Sequence, residues 1–447
     1  MTVKTLLLAG GTLLVSASAA SASGFQVNLG GQKNIGMGGV GVALTLDQAA
    51  MFYNPGALAM VRENGVQVGF NAAMARSAYR PESGGGQSNL NNKLVTPFNF
   101  YAGFGPKEGK WKIGIGAYTP FGSELHYASN WEGRYSLTDI NLRSIFAQVT
   151  GSYAITPQLS VGAGLVMLAY GDVDLQKDVP LTAQNGAPTP HVTLNGKAKQ
   201  SFGYNVGVLF KPSDKLSVGA SYRSQVDAKI ENGDVRLRDV IYSTGAAFTA
   251  TNFSATLPLP GTASVGMAVM PTEKLTVSLD ANLVFWSAYR TLDFTFSGNN
   301  GYAKDFAKPG ENTDSRLGST TTNGVTTYNT SSSAKRYYQD ALCFRLGAQY
   351  KATDALTVRA GGFFDQAAVK DGYVSPETPD ADRIGLSAGV SYEFAKRFGV
   401  DASFLFEDFL KRSQSQSDLL NNGTTDRVAG TYKTTIAIPG VGLYVKF

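Results

Sequence analysis

His126 and His191 are the only histidines of this 447-residue chain, and Cys343 is its only cysteine. Metal sites, proton shuttles and the common nucleophilic mechanisms draw on these residue types. Both histidines fall at strand ends or in loops, and neither stands in a recognisable Ser or Asp constellation. No enzymatic activity is therefore expected, and no metal or cofactor. Cys343 has no possible intrachain disulfide partner and reads as a small buried or lumen-facing side chain. Gly36-Met37-Gly38-Gly39-Val40-Gly41 matches G-x-G-x-x-G in form only, because no strand precedes it as a dinucleotide site requires. Close packing against a wall explains these glycines better. Arg223, Arg345 and Arg359 lie on the polar side of alternating segments. They can meet an anionic head group, or line a polar interior by pairing with Asp280 or Asp365.

The elements that carry these residues alternate with a period of two. Leu275, Val277, Leu279, Ala281, Leu283 and Phe285 oppose Thr276, Ser278, Asp280 and Asn282; Leu386, Ala388, Val390, Tyr392 and Phe394 oppose Ser387, Gly389, Ser391 and Glu393. Apolar out and small or polar in, over about ten residues, is the pattern of a transmembrane β-strand. A turn motif recurs ahead of such segments, as in Thr156-Pro157-Gln158-Leu159, Pro271-Thr272-Glu273-Lys274-Leu275 and Thr353-Asp354-Ala355-Leu356. Six copies, each joining two strands, plus a first and a last strand, give fourteen. The expected fold is all-β: a 14-stranded antiparallel transmembrane barrel, closed so that no edge is left unpaired in lipid. The opposite connections are long, at about 81–93, 128–140, 172–196, 231–251, 297–334, 371–381 and 413–426. The fourth of these is unusually apolar and carries Phe248.

Composition agrees. The 51 glycines amount to about 11% of the chain, against roughly 7% in an ordinary soluble protein. Only 16% of residues are charged and 43% are hydrophobic, which excludes a disordered chain and a helical membrane bundle. Net charge is +5 with the basic residues scattered, so nucleic acid is not an expected partner. Residues 1–22 read as a signal peptide, with Lys4, a short apolar run and Ala20-Ser21-Ala22 as cleavage site. The last strand alternates Val441, Leu443, Val445 and Phe447, and its terminal aromatic is the expected contact for the barrel assembly machinery. These two ends address the protein to the outer membrane of a Gram-negative bacterium. Its lipid and lipopolysaccharide are then expected partners, and the barrel is expected to be a monomer.

Residues 23–63 lack alternation and are Gly-rich, so they are expected to lie inside the barrel as a hatch, with 64–447 forming the wall and loops. Here the chain resembles the FadL/TodX family of outer-membrane transporters for long-chain fatty acids and aromatic hydrocarbons. The resemblance is carried by Gly24-Phe25-Gln26, Asp47-Gln48-Ala49-Ala50 leading into Asn54-Pro55, Pro120-Phe121-Gly122, Trp131-Glu132-Gly133-Arg134-Tyr135 and Pro379-Asp380-Ala381-Asp382-Arg383. The family usually has Asn-Pro-Ala where this chain has Asn54-Pro55-Gly56.

The resemblance implies passive uptake of hydrophobic small molecules: capture by apolar loops, binding in the lumen against the N-terminus, hatch movement, and lateral release through a kinked third strand. Gly24, Asn54 and Pro55 would then shape the hatch. Phe25, Phe121 and Phe248 would contact ligand, with Arg223, Arg345 and Arg359 as head-group candidates. The residues themselves offer a reason for a lateral gap. Pro120 and Gly122 interrupt the third strand, and Pro97 of the second falls at the same level; proline cannot donate to the ladder. A general diffusion porin would share the wall but is opposed by a Gly-rich plug, and a surface-exposed structural or adhesin barrel would suit the Ser/Thr/Asn-rich loop after Ser297. The sequence leaves open whether the cargo is fatty acid or hydrocarbon.

Overall fold

The computed structural model describes residues 24–106, 109–179, 189, 191–238, 250–298, 319–322, 325–328, 331–424 and 427–447. The signal peptide at 1–22 and the ligand candidate Phe248 lie outside the described residues.

Fourteen antiparallel wall strands close into a barrel. They begin with β1 (Gly65–Asn71 and Met74–Pro81), β2 (Ser88–Asn89 and Phe98–Phe104) and β3 (Trp111–Tyr118 and Gly122–His126). β4 (Asp139–Ala154) and β5 (Leu159–Asp178) are long and are followed by β6 (His191–Lys197 and Ser201–Ser213). β7 (Leu216–Arg223 and Val226–Arg238), β8 (Ala250–Leu259 and Thr262–Val269) and β9 (Leu275–Val284 and Thr291–Gly298) come next. The wall ends with β10 (Ser331–Lys335 and Ala341–Lys351), β11 (Leu356–Asp365), β12 (Arg383–Ala395), β13 (Phe398–Phe409) and β14 (Gly430–Lys446). β14 pairs with β1 from Gly65 opposite Lys446 to Pro81 opposite Gly430, which closes the sheet.

The turn repeat has a local cause. In three copies a threonine hydroxyl accepts from the amide three residues on: Thr156 from Leu159 (3.0 Å), Thr272 from Leu275 (3.1 Å) and Thr353 from Leu356 (3.0 Å). The side chain thereby substitutes for a backbone partner and reverses the chain tightly. Beyond each turn, alternation sorts the faces: Leu386 is 63% exposed on the outside, while Ser387 beside it is 8% exposed. Aromatics ring the turn end, where Phe447 stacks on Phe104 at 5.9 Å and Phe394 on Phe398 at 6.5 Å. Such a girdle marks a membrane interface.

The described ends of two connections expected as loops are strand. Residues 172–178 of β5 pair with the first part of β6, and 172–176 also with β4, while 234–238 of β7 pair with the first part of β6. Their alternation is inverted, with Leu175 and Val235 buried inside and Asp174 and Arg236 outside, so a search for apolar-out segments misses them, yet the ladder needs only backbone groups.

Residues 24–62 precede the wall and pack against its inward side. They contain α1 (Gln32–Ile35), α2 (Ala50–Tyr53) and a 3-10 turn, Pro55–Met60. Met37, Val40, Met51, Ala57 and Leu58 are fully buried. Glycine permits the approach. A Cβ on Gly36 would lie 2.8 Å from the Gly389 backbone, and Gly38 has a φ of +71° that other residues rarely adopt.

Candidate functional site

The wall is broken at β3, and residue type explains it. Pairing of β2 with β3 ends at Asn99 opposite Tyr118, so Pro97 and Pro120 fall opposite one another in the same register. Neither nitrogen can donate. Above a long bond from the Thr119 hydroxyl to Phe98 O (3.4 Å), contact resumes only where Asn91 N donates to His126 O (2.9 Å). Among the described residues, no hydrogen bond joins the intervening stretches, 93–97 and 120–125. On its other side β3 resumes pairing with β4 at Gly122 opposite Arg143, having gained one residue. The Ser144 hydroxyl spans that irregularity by donating to Phe121 O at 2.6 Å.

The first residues of the N-terminal segment fill the inner side of this break. Gln26 bridges Phe121, Val27 N donates to Pro120 O (2.7 Å), and Gly122 N donates to Phe25 O (3.1 Å). The Phe25 ring packs edge-on against Trp286 (4.9 Å) and near Tyr289 and Phe121 (both 6.1 Å). Gly24 has a φ of +51°, and a Cβ there would sit 2.5 Å from the Trp286 indole. Only glycine turns the chain there without displacing that ring.

Two cavities adjoin Phe25 and Phe121. One, of about 520 Å³, runs from Phe25 and Pro97 in the lumen to Leu94 and Tyr170, both exposed on the outer face. The other, of about 90 Å³, is lined by apolar side chains including Leu168, Leu194, Phe253 and Leu257. Its charged neighbours are already engaged. Arg143 meets Asp172 at 2.5 Å, and Arg336 meets Glu377 at 3.1 Å. Glu377 belongs to the connection between β11 and β12. Burial pushes its carboxyl up, but the Arg336 guanidinium and the Ser375 hydroxyl outweigh this and hold it below the usual carboxylate range.

The rest of the segment is anchored in depth. Asn54 donates to Val42 O (2.8 Å) and Val208 O (2.9 Å) and accepts from Gly56 N (2.9 Å). Asp280 accepts from Gly41 N (2.7 Å) and Val42 N (3.0 Å). Lys33 pairs with Asp47 (3.1 Å) and lies 4.0 Å from the Tyr444 ring centre. Pro55 opens the 3-10 turn that docks on the wall. Its neighbour accounts for the departure from Asn-Pro-Ala, because a Cβ on Gly56 would stand 2.6 Å from Gly207 O.

The three arginines sit away from both apolar cavities. Arg223 donates to the Tyr118 hydroxyl and to Phe52 O (2.9 Å) and borders a separate polar cavity of about 60 Å³. Arg345 donates to Gly38 O (3.1 Å), and Arg359 bonds Ser391 and Gln349. His126 holds Asp139 (2.6 Å) and Glu124 (3.1 Å), and His191 holds Asp178 (2.9 Å). Trp286 and Tyr289, which frame Phe25, escape the sequence reading. Their one local signal is the aromatic run Phe285, Trp286, Tyr289 at the break of β9.

The chain matches the family model described as outer membrane protein transport protein (OMPP1/FadL/TodX) over residues 13–447. It is 27% identical to the 47 kDa outer membrane protein of Pasteurella multocida over 89% of this chain and 90% of that protein. It is 28% identical to the long-chain fatty acid transport protein of Escherichia coli over 54% of this chain and 49% of that protein. Among solved structures, a Pseudomonas aeruginosa FadL homologue superposes with a TM-score of 0.72 at 18% identity, covering 96% of this chain and 100% of that one. The Pseudomonas putida toluene transporter TodX gives 0.65 at 16% identity, with 95% and 98% covered. These likenesses establish the fold, and the family match places the protein in the outer membrane as a transporter of hydrophobic compounds. The chain belongs to the FadL/TodX family of outer-membrane transport proteins.

Proposed function

We propose that the protein is a monomeric, non-catalytic conduit that passes hydrophobic small molecules, long-chain fatty acids or aromatic hydrocarbons, from the cell surface into the outer membrane. Cargo enters the apolar cavity beside Phe25, displaces residues 24–29, and leaves sideways through the break in β3. The observation that carries this reading is the larger cavity, whose lining runs from Phe25 to the exposed Leu94 and Tyr170 past the unpaired stretch of β2 and β3. Lateral release suits greasy cargo, which gains nothing by leaving into water. Residues 23–63 serve as the hatch, of which only the first turn moves.

The lining of the smaller cavity favours the uncharged of the two cargo classes. Arg143 and Arg336 are both ion-paired beside the apolar cavity, and a carboxylate would have to break such a pair to be neutralised. Liposomes carrying the full-length protein are expected to take up toluene faster than oleate. Deleting residues 23–26 is expected to impair uptake while the barrel stays folded; unchanged uptake by the folded deletion variant overturns the mechanism. Large steady single-channel openings in the intact protein would mark an open porin instead.

A further inference from the structure

The outer face of the barrel carries a group of cations that transport does not use. Arg76 and Arg80 project outward from β1, and neither makes an ion pair among the described residues. Lys433 of β14 stands opposite Ala78, midway between them in register. Diagonal neighbours across an antiparallel pair lie about 7–8 Å apart, and four residues along a strand span about 13 Å. Lys433 shares its charge with Asp408 of β13 (2.5 Å) and donates to Phe409 O (2.7 Å). The other acid nearby, Glu82, is turned to the amide of Gln416 (2.6 Å). The group therefore keeps a positive excess.

Its height is the second observation. Below it the outward residues are apolar, Phe70 and Met74 on β1 and Val441 and Leu443 on β14, down to Phe447 in the aromatic girdle. From Val66, beside that girdle, to Arg76 is ten residues. That is about 33 Å of strand, or about 25 Å of height at a tilt near 40°, the thickness of a barrel's lipid-facing band. The cations thus stand where the hydrocarbon ends on the outer side.

We propose that Arg76, Arg80 and Lys433 bind the phosphates of an outer-leaflet glycolipid, a disaccharide lipid phosphorylated at both ends, with Arg76 and Arg80 toward separate phosphates and Lys433 between. Unpaired guanidinium groups suit phosphate, which they grip through two parallel hydrogen bonds. Charges at both ends of a disaccharide match the spread of the two arginines better than the single phosphate of a glycerophospholipid. The site is independent of cargo transport.

The test is binding of fluorescent bis-phosphorylated lipid A to the full-length protein in neutral detergent. Arg76→Gln and Arg80→Gln are each expected to weaken binding about fivefold, and the pair with Lys433→Gln by more. Lipid A stripped of both phosphates is expected to lose binding to the same extent, while toluene uptake by the variants stays at the wild-type rate. Equal binding of the triple variant and the wild type, both folded by circular dichroism, overturns the proposal. So does equal binding of phosphatidylglycerol, or competition by inorganic phosphate at a concentration matching the lipid phosphate.

Discussion

Residues 24–29 and residues 32–58 belong to one N-terminal segment yet are held in opposite ways. The longer part is fixed by side chains reaching across the lumen: Asn54 clasps two carbonyls, Asp280 holds two amides, and Lys33 lies between Asp47 and Tyr444. The shorter part rests mainly on two backbone bonds to the edge of β3 and on one ring, Phe25, among aromatics, with a single side-chain bond at its inner end, from the Asn99 amide to Leu29 O (3.1 Å). A bond to a charged carboxylate is worth roughly twice a neutral one, whereas backbone bonds at a sheet defect open at little cost. On the proposed mechanism the difference separates a fixed body from a movable tip, and the tip lies at the break in β3.

That contrast can be broken in several ways. Phe25→Ala is expected to have the largest effect, about 3 kcal/mol lost from docking of the tip, since the ring leaves three aromatic neighbours. Hydrogen exchange at Val27 and Gly122 would quicken while Gly41 and Val42 stay protected; equal acceleration at both pairs would show that the segment moves as one. Asn54→Ala strands the carbonyls of Val42 and Val208 and should cost about 2 kcal/mol, read as a lower melting temperature and as solute leak in planar bilayers. Gly56→Ala forces the turn off the Gly207 carbonyl at a cost of about 1.5 kcal/mol, with the same leak in weaker form.

The smallest effect concerns acid. The Glu377 carboxyl is held below its ordinary value of 4.5 in the folded protein. A depressed carboxyl contributes its full stabilisation above that ordinary value and loses it only as pH falls through the lower, folded one. Protease resistance of the connection between β11 and β12 should therefore be unchanged from pH 7 to pH 5 and decline only in stronger acid.

The barrel is readable from the chain because each of its rules is local. Thr272 and Leu275 announce a turn between them, Leu279 and Asp280 announce opposite faces, and Pro97 and Pro120 can be set level by counting back through one turn. The surroundings of Phe25 are a different matter. Trp286 and Tyr289 reach it from β9, more than 250 residues away, and no periodicity specifies which ring meets which. The arginines illustrate the same limit. Their inward direction follows from alternation, but their partners, Gly38 O for Arg345 and Phe52 O for Arg223, depend on where the N-terminal segment crosses the lumen.

The glycine contacts between segment and wall have a consequence for how the protein tolerates change. Gly347 faces the Met37 carbonyl, Gly207 faces Asn54, and Gly36 faces Gly389, with no space for a methyl group at any of the three. The clash at each is with the segment or between segment and wall and not within the strand ladder, so the barrel is expected to assemble around an alanine. Damage here should leave the protein present at the cell surface in normal amount and correctly folded. It would appear as sensitivity of the cell to detergents and bulky antibiotics, a failure of the seal in a wall that is otherwise intact.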